Sequence, residues 1–279
     1  MSRSTLACGV AVAAFLALRG TAATAATAAT AAQDAAPAPA PAAAAFDPNG
    51  SDAAAIDLVK QMWDSMGGKA AWDAVAVLSF DAVVESDGKA VRRTSWIWER
   101  ATDRFRMEMK TKRGTLVALI DRKEKRGVVL ENGAKVAESD HDAVLGAAMG
   151  FLEFDLNGLI LPWRLMDPGV HLKNLEAVDV AGRKQPRVEV TFDAGREMPP
   201  GQKYVLTIEP VGHRLAALAI TVAGSPADAE PMNFAWIDWA DVGELQFCVD
   251  KEGLNVPNRL VAENVTTPAQ VPEGTFEGL

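Results

Sequence analysis

The sequence predicts a mainly β domain in which a curved antiparallel sheet is covered by two helical regions. Apolar and polar residues alternate through much of the chain after Phe46, a period typical of strands with one buried face. Asp-Gly, Arg-Gly and Asn-Gly pairs separate several of these runs, as expected for hairpins. Helical spacing of apolar residues occurs near the start of the domain and again in its middle.

Residues 1–22 are predicted to form a signal peptide. Arg3 supplies a positive start, and the apolar run from Leu6 to Leu18 has the length of a signal-peptide core, which is short for a bilayer span. Small residues after Gly20 offer several Ala-x-Ala-type cleavage sites. We therefore expect a periplasmic or otherwise exported protein, with a retained N-terminal anchor as the alternative.

Residues 23–50 are predicted to be a disordered or semi-rigid spacer, because their Thr-Ala-Ala and Ala-Pro repeats lack the apolar bulk to pack. The predicted domain covers residues 51–270, and residues 271–279 form a C-terminal tail. No other apolar run is long enough and free enough of charge to predict a membrane span after signal cleavage.

Charge and cysteine content restrict the partners and the chemistry. The net charge of −9 disfavours nucleic acid as a partner, since phosphate backbones repel an acidic protein. The basic residues at 92–93, 110–113 and 122–126 are interpreted as solvated strand edges and hairpin ends. After signal cleavage only Cys248 remains, so no intramolecular disulfide is possible and a buried, inert thiol is expected.

The first helical region begins at Ser51 or Asp52, either of which can cap a helix. It ends at Gly67-Gly68, because glycine accepts the left-handed conformation that closes many helices. A second short helical turn is expected around Trp72.

The second helical region covers residues 140–161. Three glycines within it, Gly146, Gly150 and Gly158, predict broken or mobile segments. Pro162 is predicted to end the region, and Asp167-Pro168-Gly169 is expected to turn the chain into the next strand.

About ten to twelve antiparallel strands are predicted around these helices. In the first half, Trp96 and Trp98 share one face of a strand, and Phe105, Met107 and Met109 alternate with charged residues in the next. The strands predicted for the second half are 170–178, 187–192, 204–209, 215–222, 233–242, 245–249 and 259–266.

No catalytic motif is present. Gly-x-Ser-x-Gly, HExxH, CxxC and a dinucleotide fingerprint are absent, and His141, His171 and His213 are isolated in the sequence. Asp238 and Asp241, which lie close to Trp236 and Trp239, are the remaining candidates for acid catalysis. We therefore expect no enzyme, no metal and no cofactor, and a hydrolase of unknown type is the third interpretation of the chain.

The aromatic composition favours an apolar cavity. The chain has seven Trp, nine Met and one Tyr; flat Trp and flexible Met are suited to a space that accepts variable acyl chains. Burying one such chain contributes about 0.8 kcal/mol per CH₂. The predicted ligand-binding residues of this cavity are Trp96, Trp98, Phe105, Met107, Met109, Phe151 and Trp163.

Five motifs carry a resemblance to a known family. They are Met62-Trp63-x-x-Met66-Gly67-Gly68 followed by Trp72, Leu161-Pro162 with Asp167-Pro168-Gly169-Val170, Asp238-Trp239, Val242-Gly243, and Glu263-Asn264-Val265. The chain resembles, over residues 52–268, a family of exported bacterial proteins that is itself similar to lipoprotein carriers of the LolA/LolB type.

The resemblance implies an open, incomplete antiparallel β-barrel with helices plugging its concave face. It also implies a periplasmic carrier or binder of an apolar ligand, such as a lipid or the acyl chains of a lipoprotein. The long spacer, the acidic charge and the lack of a lipobox cysteine depart from a membrane-anchored acceptor. An envelope protein-interaction or sensing module therefore stays open as the alternative.

Overall fold

The computed structural model of the protein describes residues 45–193, 202–226 and 228–279. The predicted signal peptide and most of the predicted spacer lie outside the described residues. Within the described ranges, the chain forms a short 3-10 helix at Pro48–Gly50, three α-helices and thirteen β-strands.

The three α-helices are α1 (Ala53–Ser65), α2 (Lys69–Asp73) and α3 (Glu138–Arg164). α1 begins directly after Asp52, as the sequence predicts. Its buried residues recur at three- and four-residue spacing and form one apolar stripe: Ala55, Ile56, Val59, Met62 and Trp63.

The strands form one sheet. They are β1 (Val77–Ser86), β2 (Lys89–Glu99), β3 (Arg104–Thr111), β4 (Gly114–Asp121), β5 (Arg126–Glu131), β6 (Ala134–Lys135), β7 (Val170–Val180), β8 (Arg183–Phe192), β9 (Lys203–Ile208), β10 (Leu215–Thr221), β11 (Met232–Val242), β12 (Leu245–Gly253) and β13 (Asn258–Thr266).

The strand order is β6-β5-β4-β3-β2-β1-β13-β12-β11-β10-β9-β8-β7, with antiparallel pairing between neighbours. β6 and β7 end this order on the two sides, so the sheet is not closed. The prediction of a mainly β, open antiparallel half-barrel with helices on one face is confirmed.

The centre of the sheet joins the first strand to the last. β1 pairs with β2 on one side and with β13 on the other, and Val83 lies opposite Val261 in the second pairing. Two meanders of consecutive hairpins, β1–β6 and β7–β13, therefore meet along a single ladder.

Alternation within the strands produces one apolar face, and the helices pack against it. Phe80 on β1, Trp96 on β2 and Met107 on β3 are almost completely buried, and each belongs to the same core as the buried stripes of α1 and α3. α1 contacts β7, and α3 contacts α1, β5 and β12. We call this helix-covered side of the sheet the concave face.

α3 corrects the prediction of a broken helical region. It is one continuous helix of 27 residues that passes through Gly146, Gly150 and Gly158 and includes Pro162 in its last turn. Each glycine costs about 1 kcal/mol of helix propensity relative to alanine, and burial of the apolar stripe against the sheet outweighs that cost. The packing of α3 against the sheet, which local helix propensity does not include, explains why the helix is continuous.

In the described part of the chain, α3 is also the one helix that is long and apolar enough to cross a membrane by length and composition. The sequence prediction missed this property because it treated the glycines as interruptions. In the structure, the helix lies along the sheet and its C-terminal half is mostly buried.

The motifs behind the family resemblance meet in space. Gly67 has a φ of +104°, and a Cβ atom there would lie 2.1 Å from the backbone oxygen of Glu244, directly after the Val242-Gly243 motif. The Trp63 indole N–H donates to the Pro162 carbonyl oxygen at 2.7 Å. The motifs therefore fix how α1, α3 and the β11–β12 hairpin fit together.

The predicted C-terminal tail contacts β3. The guanidinium of Arg104 lies over the Phe276 ring at 4.7 Å, and Arg106 donates to the backbone oxygen of Thr275. Thr275 is buried. The tail therefore packs against the sheet although no strand or helix forms in it.

Candidate functional site

The seven predicted ligand-binding residues all belong to, or pack against, the core under the helices. Trp96, Trp98, Phe105, Met107 and Trp163 are buried. Met109 and Phe151 are partly buried and pack against the same core. In the described arrangement helical side chains cover this region, so a ligand reaches these residues only if α3 shifts.

Aromatic rings lock the C-terminal end of α3 to the sheet. Trp163 stacks on Trp72 with ring centroids 5.4 Å apart and planes 12° from parallel. Trp98 stacks on Phe105 at 5.3 Å, and Trp72 links the two pairs at 6.4 Å from Trp98. Offset aromatic pairs contribute about 0.5–1.5 kcal/mol beyond their buried area. We call these residues, together with Phe247, the aromatic cluster.

A buried ion pair joins the middle of α3 to β2. Arg92 donates to both carboxylate oxygens of Asp155 at 2.6 Å, and the Trp96 indole N–H donates to Asp155 Oδ2 at 2.8 Å. The side chains of Arg92 and Asp155 are only 8% and 1% exposed. The Arg92 guanidinium also lies 4.5 Å from the Phe151 ring centroid.

The surroundings of this pair determine its electrostatics. Burial raises the pKa of Asp155, while the hydrogen bonds from Arg92 and Trp96 lower it. Arg92 Nε is buried and has no hydrogen-bond partner among the described residues. The pair therefore holds α3 strongly, because separating two buried charges leaves each without compensation.

Arg92 corrects the interpretation of residues 92–93 as a solvated edge. Arg93 does fit that interpretation: it pairs with Glu263, and both side chains are about half exposed. Arg92 points the other way, as alternation along β2 requires, since residues 92, 94, 96 and 98 share one face.

A cleft lies between α3 and the central strands β1, β12 and β13. Its volume is about 20 Å³, which is room for about one water molecule, so a larger ligand enters only if the helix and the sheet separate there. Side chains on both sides are mainly apolar, and Phe154 at the rim is 46% exposed. The lining residues include Phe80, Ala82, Phe154, Gly158, Leu159, Leu260, Ala262 and Lys251.

None of the seven predicted residues lines this cleft, although it lies on the same concave face. The sequence reasoning concentrated on aromatic and Met residues, whereas the cleft depends on small side chains, on Gly158 and on a buried lysine. A sequence signal for Lys251 exists, since residues 245, 247, 249 and 251 share a face. It was missed because the predicted strand ended at Val249.

The candidates for acid catalysis make structural contacts. Asp238 and Asp241 are exposed; Asp238 accepts from the backbone N–H of Trp239, and Asp241 accepts from Gln246. His171 pairs with Asp193 at 2.7 Å, and this partner raises the pKa of His171.

His141 Nε2 lies 3.2 Å from the Gly127 carbonyl oxygen, and His213 occupies a turn with φ of +54°. Among the residues described, no group of three or more His, Cys, Asp or Glu side chains could hold a metal ion. Cys248 is buried and free, as the sequence predicts, and burial raises the pKa of its thiol.

The described chain is an open antiparallel sheet with a long helix across its concave face. Among solved structures, the chain is similar to a LolA superfamily protein from Nitrosomonas europaea, with a TM-score of 0.46 and 10% identity over 80% of this chain and 96% of that one.

Two further solved structures are similar. A putative outer membrane lipoprotein-sorting protein domain from Vibrio parahaemolyticus has a TM-score of 0.43 and 7% identity, over 80% of this chain and 96% of that one. A DUF1329 family protein from Desulfovibrio piger has a TM-score of 0.42 and 11% identity, over 81% and 96%. No family model matches the chain, and no curated protein sequence matches it.

The fold that the resemblance implies, an open antiparallel sheet with helices on its concave face, is confirmed by the strand order and by the position of α3.

Proposed function

We propose that this chain is an exported binder or carrier of an apolar ligand, such as a lipid or the acyl chain of a lipoprotein, held between α3 and the concave face. The observation that carries the proposal is the mainly apolar cleft beside residues 154–159 of α3. It shows where the helix and the sheet are not tightly packed together.

The burial pattern of α3 supports an opening movement. The first half of the helix, residues 138–150, contains one buried residue, Ala148, whereas the second half contains eight. Segments with few buried contacts are the ones that open most readily. The proposed movement displaces the first half of α3, while the second half stays fixed to the sheet through Asp155 and Trp163.

The energetics of such binding are favourable without any catalytic group. At about 0.8 kcal/mol per CH₂, a twelve-carbon chain gains enough from burial to offset the ordering of helix and ligand. The aromatic cluster then keeps the far end of α3 in place while the other end moves.

The first experiment is native mass spectrometry of the mature protein, purified gently from its own cell envelope, followed by lipid extraction. A co-purifying acyl-chain mass and uptake of a fluorescent fatty-acid probe are the expected results. A ligand-free mass together with no probe uptake would contradict the proposal.

A cleft-filling variant tests the location of the site. A Cβ atom added at Gly158 meets no atom within 4 Å, so the Cβ of Gly158→Leu is accommodated and the rest of its side chain competes with a ligand for the cleft. We expect probe affinity to fall at least tenfold. Gly150→Leu is the matched control, because Gly150 is also helical and unobstructed but does not line the cleft. Equal affinity in the two variants would place the ligand elsewhere.

A protein-interaction module is the second candidate, and one observation favours it. β7 is an edge strand of the described sheet, and such edges can pair with a strand of another chain. The first part of this edge is protected: Asp52 and Ser51 bond the backbone of Leu172 and Asn174. An envelope partner that crosslinks to residues 176–180 in the absence of any bound lipid would favour this candidate.

A further inference from the structure

A buried lysine, Lys251, lines the cleft, and the proposed function does not depend on it. We propose that Lys251 binds the anionic headgroup of the ligand, so that the cleft selects a single-chain amphiphile with a carboxylate over a neutral one of the same length. This inference rests on the proposed function and specifies its ligand class.

The position of Lys251 supports the proposal. Lys251 lies on β12 opposite Leu260 of β13 and Trp236 of β11. It is 4% exposed and lines the cleft together with Phe80, Leu159 and Leu260. Apart from Asp155, the residues that line the cleft with Lys251 are apolar.

The hydrogen bonding of the Lys251 ammonium group is incomplete. An ammonium group has three N–H donors. In the described part of the chain, Lys251 Nζ donates to the Cys248 carbonyl oxygen at 2.6 Å and contacts the face of the Trp236 ring at 5.1 Å. The nearby Trp236 indole N–H is also buried, and no described residue accepts from it.

The buried charge of Lys251 also supports the proposal. None of the described carboxylates forms an ion pair with Lys251, and the two acidic residues near it have other cationic partners. Asp250 binds Arg259 through two hydrogen bonds, and Asp155 binds Arg92. A buried charge without a partner is costly, and burial lowers the pKa of Lys251. An anion in the cleft would supply the missing counter-charge.

The lining of the cleft also indicates what kind of ligand would fit it. Its walls are mainly apolar, so a hydrocarbon chain that widens the cleft would meet apolar surface, and the lysine offers a single point for charge-assisted hydrogen bonds, which are the stronger class. One cation matches one carboxylate. A ligand with a chain and a single anionic end satisfies both parts, whereas a neutral lipid leaves Lys251 as it is.

The test compares two probes of equal length, dodecanoate and dodecan-1-ol, in displacement of a fluorescent fatty acid at pH 8. For the wild-type chain we expect dodecanoate to bind at least about tenfold more tightly, as one charge-assisted hydrogen bond implies. Acetate at the same concentration should displace nothing, because it has a carboxylate but no chain.

Two variants of Lys251 locate the effect. Lys251→Met keeps the length and apolar character of the side chain but removes the charge, so the preference for dodecanoate should disappear while dodecan-1-ol binding stays within about twofold. Lys251→Arg keeps a cation and should retain a preference. Circular dichroism and thermal melting establish that both variants are folded.

The outcomes separate this inference from the proposed function. If wild type binds neither probe, the proposed function itself fails. If both probes bind equally to wild type and to Lys251→Met, the chain is an apolar binder and the headgroup inference is wrong. Displacement by acetate alone would also contradict it, since the site would then be a general anion site.

Discussion

Two regions of the interface between α3 and the sheet, the C-terminal end of the helix and its middle, differ in how completely they are packed. At the C-terminal end, Trp163 and Trp72 are stacked and the Trp63 N–H bonds the helix backbone. Beside residues 154–159, the interface instead encloses a cleft with a partly bonded lysine. The first region is organised to hold the helix, and the second has the unfilled space and unpaired charge that a ligand would complete.

This difference separates the residues of the aromatic cluster from the cleft, which none of them lines. The residues with the largest apolar surfaces are concentrated where the helix is fixed, and stacking among themselves uses that surface. The cleft occurs where small residues, such as Gly158 and Ala82, meet. Three substitutions test this division, in order of expected effect.

The largest effect is expected for Asp155→Ala. This change leaves Arg92 buried beneath α3 without its carboxylate, and an uncompensated buried charge costs about 3–5 kcal/mol. Urea denaturation should show that loss in the free energy of unfolding. The double variant Arg92→Met with Asp155→Ala should recover much of it, because both charges are then gone.

The matched control is Arg93→Ala on the same strand. Arg93 makes a similar two-bond pair with Glu263, but both side chains are about half exposed. Solvent screens such pairs, so we expect a change of at most about 1 kcal/mol. A comparable loss in both variants would mean that Asp155 does not specially anchor α3.

The next effect is expected for Trp163→Ala. Trp163 is buried and stacked on Trp72, so its removal should lower the free energy of unfolding by about 3 kcal/mol. If Trp163 holds α3 and does not contact ligand, the affinity of folded protein for the probe should change little. Loss of affinity with little change in melting temperature would instead place Trp163 at the mouth of the ligand site.

The smallest effect has the opposite sign. Lys251→Met removes a buried charge that has no ion-pair partner among the described residues, and it should stabilise the protein by about 1 kcal/mol at pH 7. Burial lowers the pKa of Lys251 from its usual 10.5, so between its folded-state pKa and 10.5 the unfolded wild-type chain binds more protons than the folded one, and wild-type stability rises with pH.

The stabilisation should therefore shrink between pH 7 and pH 10, where less of that proton binding remains. Thermal melts of both proteins at the two pH values provide the measurement. A loss of stability in Lys251→Met at pH 7 would show that the bond from Lys251 to the Cys248 carbonyl outweighs the burial cost, and that the lysine is structural.

The strands could be predicted because the sequence patterns that identify them are local. Alternation identified the strand that carries Phe105 and Met107, and the Asp87-Gly88 pair identified a hairpin at the observed position. Helix α3 could be located but not its continuity, since only contacts with distant strands compensate for Gly146, Gly150 and Gly158.

The electrostatic part of the candidate site could not be predicted with the same rules. Arg92, Asp155 and Lys251 belong to residue types that are rarely buried, so the sequence reasoning placed the first outside and did not consider the other two. Position 155 lies on the buried stripe of α3 with residues 148, 152 and 159. A charged residue at an apolar position of a periodic pattern is the signal that could have identified all three.

The ladder between β1 and β13 has a consequence for the order of folding. Every other pairing in the sheet joins strands that follow one another in the chain, and each such hairpin can form as soon as its second strand is available. The ladder of β1 with β13 joins residue 79 to residue 266. During synthesis, the two meanders can therefore form early and separately. The side of β1 that pairs with β13 stays unpaired until β13, the last strand, has been synthesised.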